Sequence, residues 1–311
     1  MKTSQSRPKR RGFTLIELLV AMGITTIIAS VLISVTAVAI DAWNRSRAEI
    51  RAARQAKHMV DSIARDFESL VTRKGNGFEW LYAATPSVLP GSSTQTSSNA
   101  SKLIFFTAAT DRYEGKINTA DDKGGDVSCV GYNLEFKNPI DGSQDKFSTF
   151  TLYRLLVNPD QAFENLLGKT DLDTAFQAYA SKVTDIENYV CENIYQYSVV
   201  FHVEVTKDVG TPTATKFTVP VSLGPTAGGG RVTEFRVLGT GLEVSSSPST
   251  NVSVEEVKAG RVAAMEVSLT VISDFGMAQL RNGANLKGNA MTKFMAKNSF
   301  QYSKLVELPS M

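Results

Sequence analysis

Between Leu18 and Ile40 the chain has no charged residue and no proline. That is about 23 residues against the roughly 20 a helix needs to cross a hydrocarbon core. The β-branched residues in this run, among them Ile24, Thr25, Ile27, Val31 and Val35, weaken helix only mildly in water. In a bilayer the backbone must satisfy its own polar groups, and helix results. Past Trp43 the apolar positions thin to helical spacing: Ile50, Ala53, Ala56, Met59 or Val60, Ile63, Phe67 and Leu70 form one stripe. Arg47, Glu49, Arg51, Arg54, Lys57, Asp61, Arg65 and Glu68 fill the opposite face, and Gly75 and Gly77 supply a stop. The pattern predicts one helix from Phe13 to near Arg73, about sixty residues and on the order of 90 Å long.

Beyond Gly77 the period shortens to that of strands. LIFFTAA from Leu103, VSCVGYNLEF from Val127, FTLYRLLV from Phe150, YQYSVVFHVEV from Tyr195, KFTVPVSL, RVTEFRVL and VAAMEVSLTVIS are the candidate strands, and most alternate apolar and polar positions, as antiparallel strands with one solvated face do. PDQAFENLLGKTDLDTAFQAYASKV reads as one or two short helices. The expected fold class is α+β: a long amino-terminal helix, transmembrane and then amphipathic, packed on a mostly antiparallel β-rich domain arranged as two sheets or one long curved sheet. PSVLPGSSTQTSSNAS, Pro86 to Ser101, is expected to be a mobile loop, and GPTAGGGRV a hairpin connection, since it lacks the Gly-Lys-Ser/Thr ending of a phosphate loop.

Charge changes the picture only at the amino terminus. The 33 basic and 31 acidic residues leave a net charge of +2, so no global field points to nucleic acid. Lys2, Arg7, Lys9, Arg10 and Arg11 crowd the first residues without an acid, which holds that end cytoplasmic. Cys129 and Cys191 permit one disulfide in an oxidising compartment. His58 reads as an exposed helix residue and His202 as a packed strand residue, and neither has a neighbour at metal-ligand spacing. No Gly-x-Ser-x-Gly, His-Glu-x-x-His or Cys-x-x-Cys occurs, so no catalytic constellation stands out and no enzyme is expected. One acidic loop, with Asp121, Asp122 and Asp126, offers oxygens for calcium, although its spacing is not that of an EF-hand and Lys116 and Lys123 compete. No other cofactor is expected.

The stretch Arg10-Arg11-Gly12-Phe13-Thr14-Leu15-Ile16-Glu17-Leu18-Leu19-Val20-Ala21 closely resembles the amino-terminal signal of type IV pilins and type II secretion pseudopilins. The resemblance implies that a membrane-embedded prepilin peptidase cuts after Gly12 on the cytoplasmic side and methylates the new amino group of Phe13. Glu17 then becomes the fifth residue, where the family pattern has its assembly glutamate. In size, and in runs such as SIARDFESLV and GRVAAMEVSLTVISDFG, the chain is most similar to large minor pseudopilins of the J type or to the prepilin-like cassette proteins of verrucomicrobial genomes. It departs from major pilins in having no proline within the span and in the size of its domain.

That resemblance divides the chain into a basic leader (1–12), a transmembrane helix (13–43), an amphipathic helix (44–74) and a periplasmic β-rich domain (75–311). It implies a non-enzymatic subunit of a type II secretion or type IV pilus-like filament, at its tip or in its body. The subunit would be anchored once in the bacterial inner membrane, with prepilin peptidase and other pilin or pseudopilin subunits as partners. The alternative is a membrane-anchored periplasmic enzyme or binding protein that uses the helix only as a tether.

Overall fold

A computed structural model describes residues 14–92, 95–108, 126–207, 214–281, 286 and 288–308. The chain divides into two compact units, residues 1–48 and 49–311, and the first helix, α1 (Leu15–Glu68), belongs to both. In the second unit α1 is followed by β1 (Glu79–Ala84), β2 (Asn99–Ala100), β3 (Lys102–Thr107), β4 (Ser128–Lys137) and β5 (Thr149–Val157). Three short helices come next, α2 (Pro159–Asn165), α3 (Leu172–Phe176) and α4 (Ala180–Val183). Then come β6 (Tyr189–Glu192), β7 (Ile194–Lys207), β8 (Thr215–Leu223), β9 (Arg231–Val232), β10 (Glu234–Leu238) and β11 (Gly241–Val244). The chain continues through α5 (Val254–Lys258), β12 (Arg261–Ile272), α6 (Asp274–Arg281), α7 (Asn289–Asn298) and β13 (Ser299–Glu307).

The strands form two sheets, one in the order β11-β10-β1-β3-β4-β5-β6, the other β13-β12-β7-β8-β9 with β2 added alongside β7. Pairing is antiparallel except for β2 with β7 and β8 with β9. One core joins both sheets to the helix. Met59, Ile63 and Phe67 of α1 are fully buried, each worth about 1.5–3 kcal/mol over an exposed position. The Phe67 ring meets Phe105 of β3 at 5.8 Å and Phe201 of β7 at 6.4 Å. Phe201 in turn stacks on Phe235 of β10 at 4.3 Å. A second core, with Ile104, Phe106, Tyr153, Leu166, Leu172 and Phe176, holds α2–α4 against the other face of the seven-stranded sheet.

The α+β expectation holds, and each strand run identified by alternation is a strand or a pair of strands. Four features differ. The helix stops at Glu68, not near Arg73, because its last carbonyls and the residues after it are taken up by β3. Thr107 Oγ1 donates to the Asp66 carbonyl at 2.7 Å. Val71 N–H donates to the Phe106 carbonyl and Ala108 N–H to that of Ser69. This extended pairing outcompetes another turn of helix well before the glycines are reached.

The Ser/Thr-rich segment after Pro86 is a pinned strap, not a mobile loop. Gln95 Nε2 donates to the Leu280 carbonyl at 2.8 Å, Ser97 Oγ to that of Tyr195 at 2.7 Å and Asn99 Nδ2 to that of Leu223 at 3.0 Å. These polar side chains are buried, so their bonds are structural and not surface decoration. Gly91, at φ +155°, is required in the strap because a Cβ there would lie 2.2 Å from the Gln95 carbonyl oxygen.

The glycine-rich link closes a tight antiparallel turn, with Gly228 and Arg231 exchanging backbone hydrogen bonds, but it does not join two long antiparallel strands. Gly228, Gly229 and Gly230 all have positive φ, and the turn returns β9 parallel to β8 before the chain enters β10 in the other sheet. The disulfide that the sequence permits is not formed: Cys129 and Cys191 are both free and buried. Cys129 faces the core under α2–α4 while Cys191 faces the core around α1, with β5 between their strands. Opposite faces of a sheet cannot meet the narrow Cβ–Cβ geometry of a bridge. Burial pushes the Cys191 thiol up to about 12 and that of Cys129 higher still.

Candidate functional site

The amino-terminal unit starts with a helix cap. Thr14 N–H and Thr14 Oγ1 each donate to Glu17 Oε2 at 2.9 Å, and Glu17 N–H donates to Thr14 Oγ1 at 3.3 Å. This is a reciprocal capping box, with Thr14 outside the first turn and Glu17 three residues on, and it satisfies two donors the helix end would leave orphaned. The Thr-x-x-Glu spacing before an apolar run was a readable signal for it, and the role of Thr14 is the part sequence reasoning missed.

Below the cap, the helix presents apolar side chains outward on every side. Leu15 is 81% exposed, Ile16 70% and Ile33 71%, and α1 is long and apolar enough to cross a membrane. The hydroxyls within this run turn inward on their own backbone. Thr25 and Thr26 donate to the Met22 carbonyl at 2.9 and 2.8 Å, Ser30 to that of Thr26 and Thr36 to that of Leu32. Hydroxyls already bonded in this way demand nothing of their surroundings, as a lipid environment requires. Glu17 is the carboxylate this helix carries before Asp41.

In the second unit the charged group that stands out on α1 is Asp66. It is buried within the apolar stripe, between Ile63 and Phe67. Arg154 of β5 grips it with two bonds, Nε to Oδ2 at 2.7 Å and Nη2 to Oδ1 at 3.0 Å, and the Tyr132 hydroxyl of β4 donates to Oδ2 as well. Burial and the Asp66 charge hold the Tyr132 phenol well above its ordinary range, so it remains a donor. Planar bidentate geometry makes this a positional lock as much as an attraction. The lock fixes where α1 lies on the seven-stranded sheet. Its sequence signal was a carboxylate at helical spacing within an otherwise apolar stripe.

A second charged cluster lies at the start of β1. Glu79 has a fully buried side chain; its Oε2 accepts from Leu172 N–H at the start of α3 and lies 3.4 Å from Arg236 Nη1. Arg236 also bonds Glu234 and sits over the Tyr82 ring at 5.0 Å. Beside it Lys102 pairs with Asp173. The cluster clamps the α2–α4 layer to the sheet and turns no carboxylate and nucleophile toward a common point. Burial pushes the Glu79 carboxyl up to about 7, against the opposing pull of the Leu172 bond and Arg236.

A carboxyl with a raised pKa binds its proton more tightly in the folded chain than in the unfolded one. Its stabilising contribution is therefore full below about pH 4.5 and lost as the pH rises through about 7. Glu79→Gln should match wild type in thermal unfolding at pH 4.5 and melt at a higher temperature than wild type at pH 8. An equal difference at both pH values would show that Glu79 stays ionised throughout.

Of the other residues expected at a site, Gly12, Phe13, Asp121 and Asp122 lie outside the described residues. Asp126 borders a cavity with Phe78, Trp80 and Phe163, and no group of three metal-ligating side chains forms among the described residues. His58 is exposed on α1. His202 is on β7 with Nε2 3.8 Å from a Glu266 carboxylate oxygen.

A capped apolar amino-terminal helix continuing into antiparallel β-rich sheets is the architecture of a pilin-like α+β protein. The family profile for the prokaryotic N-terminal methylation motif matches residues 7–33, and the chain thus carries an amino-terminal signal of the type IV pilin and pseudopilin kind. No curated protein and no solved structure matches the chain.

Proposed function

We propose that the chain is a non-enzymatic filament subunit, a minor pilin or pseudopilin. Prepilin peptidase cuts it after Gly12 and methylates Phe13, and the processed subunit assembles with other pilin or pseudopilin subunits into the tip or body of a pilus-like fibre in the periplasm. The observation that carries this reading is Glu17: a carboxylate fixed by Thr14 at the start of an apolar, outward-facing helix, inside the matched methylation motif. Such a group in lipid requires a partner. Cleavage creates one, the ammonium of Phe13, and packing of subunits side by side lets the ammonium of one meet the carboxylate of the next.

Charge around the span supports the same sequence of events. Before cleavage, Lys2, Arg7, Lys9, Arg10 and Arg11 on one flank oppose Arg45, Arg47, Arg51, Arg54 and Lys57 on the other. The leader keeps the amino-terminal flank as basic as the other, and so permits a cytoplasmic amino terminus that the opposite flank alone would disfavour. Once it is removed, that balance is gone and the subunit is free to be extracted. The large second unit and the proline-free span favour a minor subunit of the J type over a shaft subunit.

The reading is tested with Gly12→Glu, expressed beside the peptidase and the other subunits. The variant should keep its leader, remain in the membrane fraction and be missing from crosslinked fibre complexes in isolated cell envelopes, while wild type appears in them. Incorporation of the uncut variant would refute the proposal.

A further inference from the structure

The cavities of the carboxy-terminal unit differ in charge. A cleft of about 700 Å3 above the seven-stranded sheet sets Glu135, Asp173 and Glu234 against Lys102. A smaller cavity, of about 270 Å3, is lined by Arg73, Lys74, Lys258 and Arg261 and by no carboxylate. It forms where the segment after α1, the β10–β11 turn, the passage from α5 into β12 and Leu308 converge. Missing side chains allow the walls to close: a Cβ on Gly241 would lie 2.6 Å from the Lys258 carbonyl oxygen, and one on Gly260 would lie 2.8 Å from that of Glu204.

Two of the cations have partners outside the cavity. Arg261 bonds Glu204 at 2.8 Å, and Lys258 reaches Glu255, itself 81% exposed, at 3.3 Å. Arg73 and Lys74 make no ion pair among the described residues. Arg73, Lys74 and Lys258 are exposed at the rim of the cavity, where gathered cations favour an entering anion. Beside Thr72 and Thr240, the lining carries the apolar side chains of Leu70, Val237, Leu242, Val262 and Leu308. Inorganic phosphate would leave them unused.

We propose that this cavity binds a small amphiphilic anion, a carboxylate or phosphate head on a short apolar chain. The head is held by Arg73, Lys74 and Lys258, and the chain lies against the leucines and valines. This goes beyond the filament role and does not depend on it.

The test is acetylation footprinting of the full chain in neutral phosphatidylcholine nanodiscs, read by mass spectrometry at low conversion, with butyl phosphate as the probe. Butyl phosphate should protect Lys74 and Lys258 saturably, whereas butanol and butylammonium should not. Lys146, exposed in the connection between β4 and β5 and absent from the cavity lining, should be unaffected. Arg73→Gln should raise the concentration for half-protection of Lys258 at least about tenfold, and Arg73→Lys should restore most of it. Equal protection by butanol, parallel protection of Lys146, or an unchanged curve in Arg73→Gln in a variant that unfolds at the wild-type temperature would overturn the proposal.

Discussion

Asp66→Ala should destabilise the carboxy-terminal unit by about 3–5 kcal/mol, the cost of leaving one member of a buried ion pair without its partner. The Arg154 side chain is 5% exposed and Asp66 6%, so water cannot readily replace the lost carboxylate. Tyr132 and Arg154 also bond each other at 3.1 Å, and both converge on the same vacancy once Asp66 is gone. Asp66→Leu with Arg154→Met should lose less than either single change, because an apolar pair removes both desolvation costs together. Chemical unfolding of the full chain, followed by the fluorescence of buried Trp80, measures all three variants. A loss below about 1 kcal/mol for Asp66→Ala would place the pair among ordinary surface bridges and sink the claim that it locks α1 on the sheet.

At Glu17 two effects sit on one side chain, and two substitutions separate them. The carboxylate closes the capping box with Thr14, and glutamine serves in that position nearly as well as glutamate. Glu17→Gln should therefore keep the helix start intact and the chain inserted and processed, yet reduce crosslinking into a fibre at least as severely as Glu17→Val. Only the charge, and with it the pairing to a neighbouring Phe13 ammonium, is lost in the glutamine variant. If Glu17→Gln incorporates normally while Glu17→Val does not, the residue acts as a helix cap and the intersubunit pairing is wrong. Thr14→Val is the complementary probe: it opens the cap but leaves the charge, and should incorporate.

The strands with strong alternation were legible in the sequence, as in YQYSVVFHVEV and VAAMEVSLTVIS, because one face of each packs on the core and burial enforces the period. β1, β6, β11 and β13 were not. They are short, or, like SFQYSKLVE in β13, carry one apolar face too sparse to register, and their pairing comes from neighbours distant in the chain. The same long-range logic hid the end of α1, which β3 terminates through Thr107, and the strap after Pro86. Its serines and asparagine look like a loop until Tyr195, Leu223 and Leu280 supply acceptors. The two cysteines looked pairable because sequence separation says nothing about which face of a sheet each occupies. At the amino terminus the balance reverses. The Gly-Phe-Thr-x-x-Glu spacing is entirely local, so motif, apolar span and cap could all be read within a few turns.

On the proposed reading this amino terminus is a processing signal and not a simple anchor. Intact-mass analysis, with sequencing of the amino-terminal peptide, of protein purified from cells that contain prepilin peptidase tests it most directly. A mature chain beginning at N-methylated Phe13 is expected; a chain still beginning at Met1, or cut at any other bond, would refute the processing role.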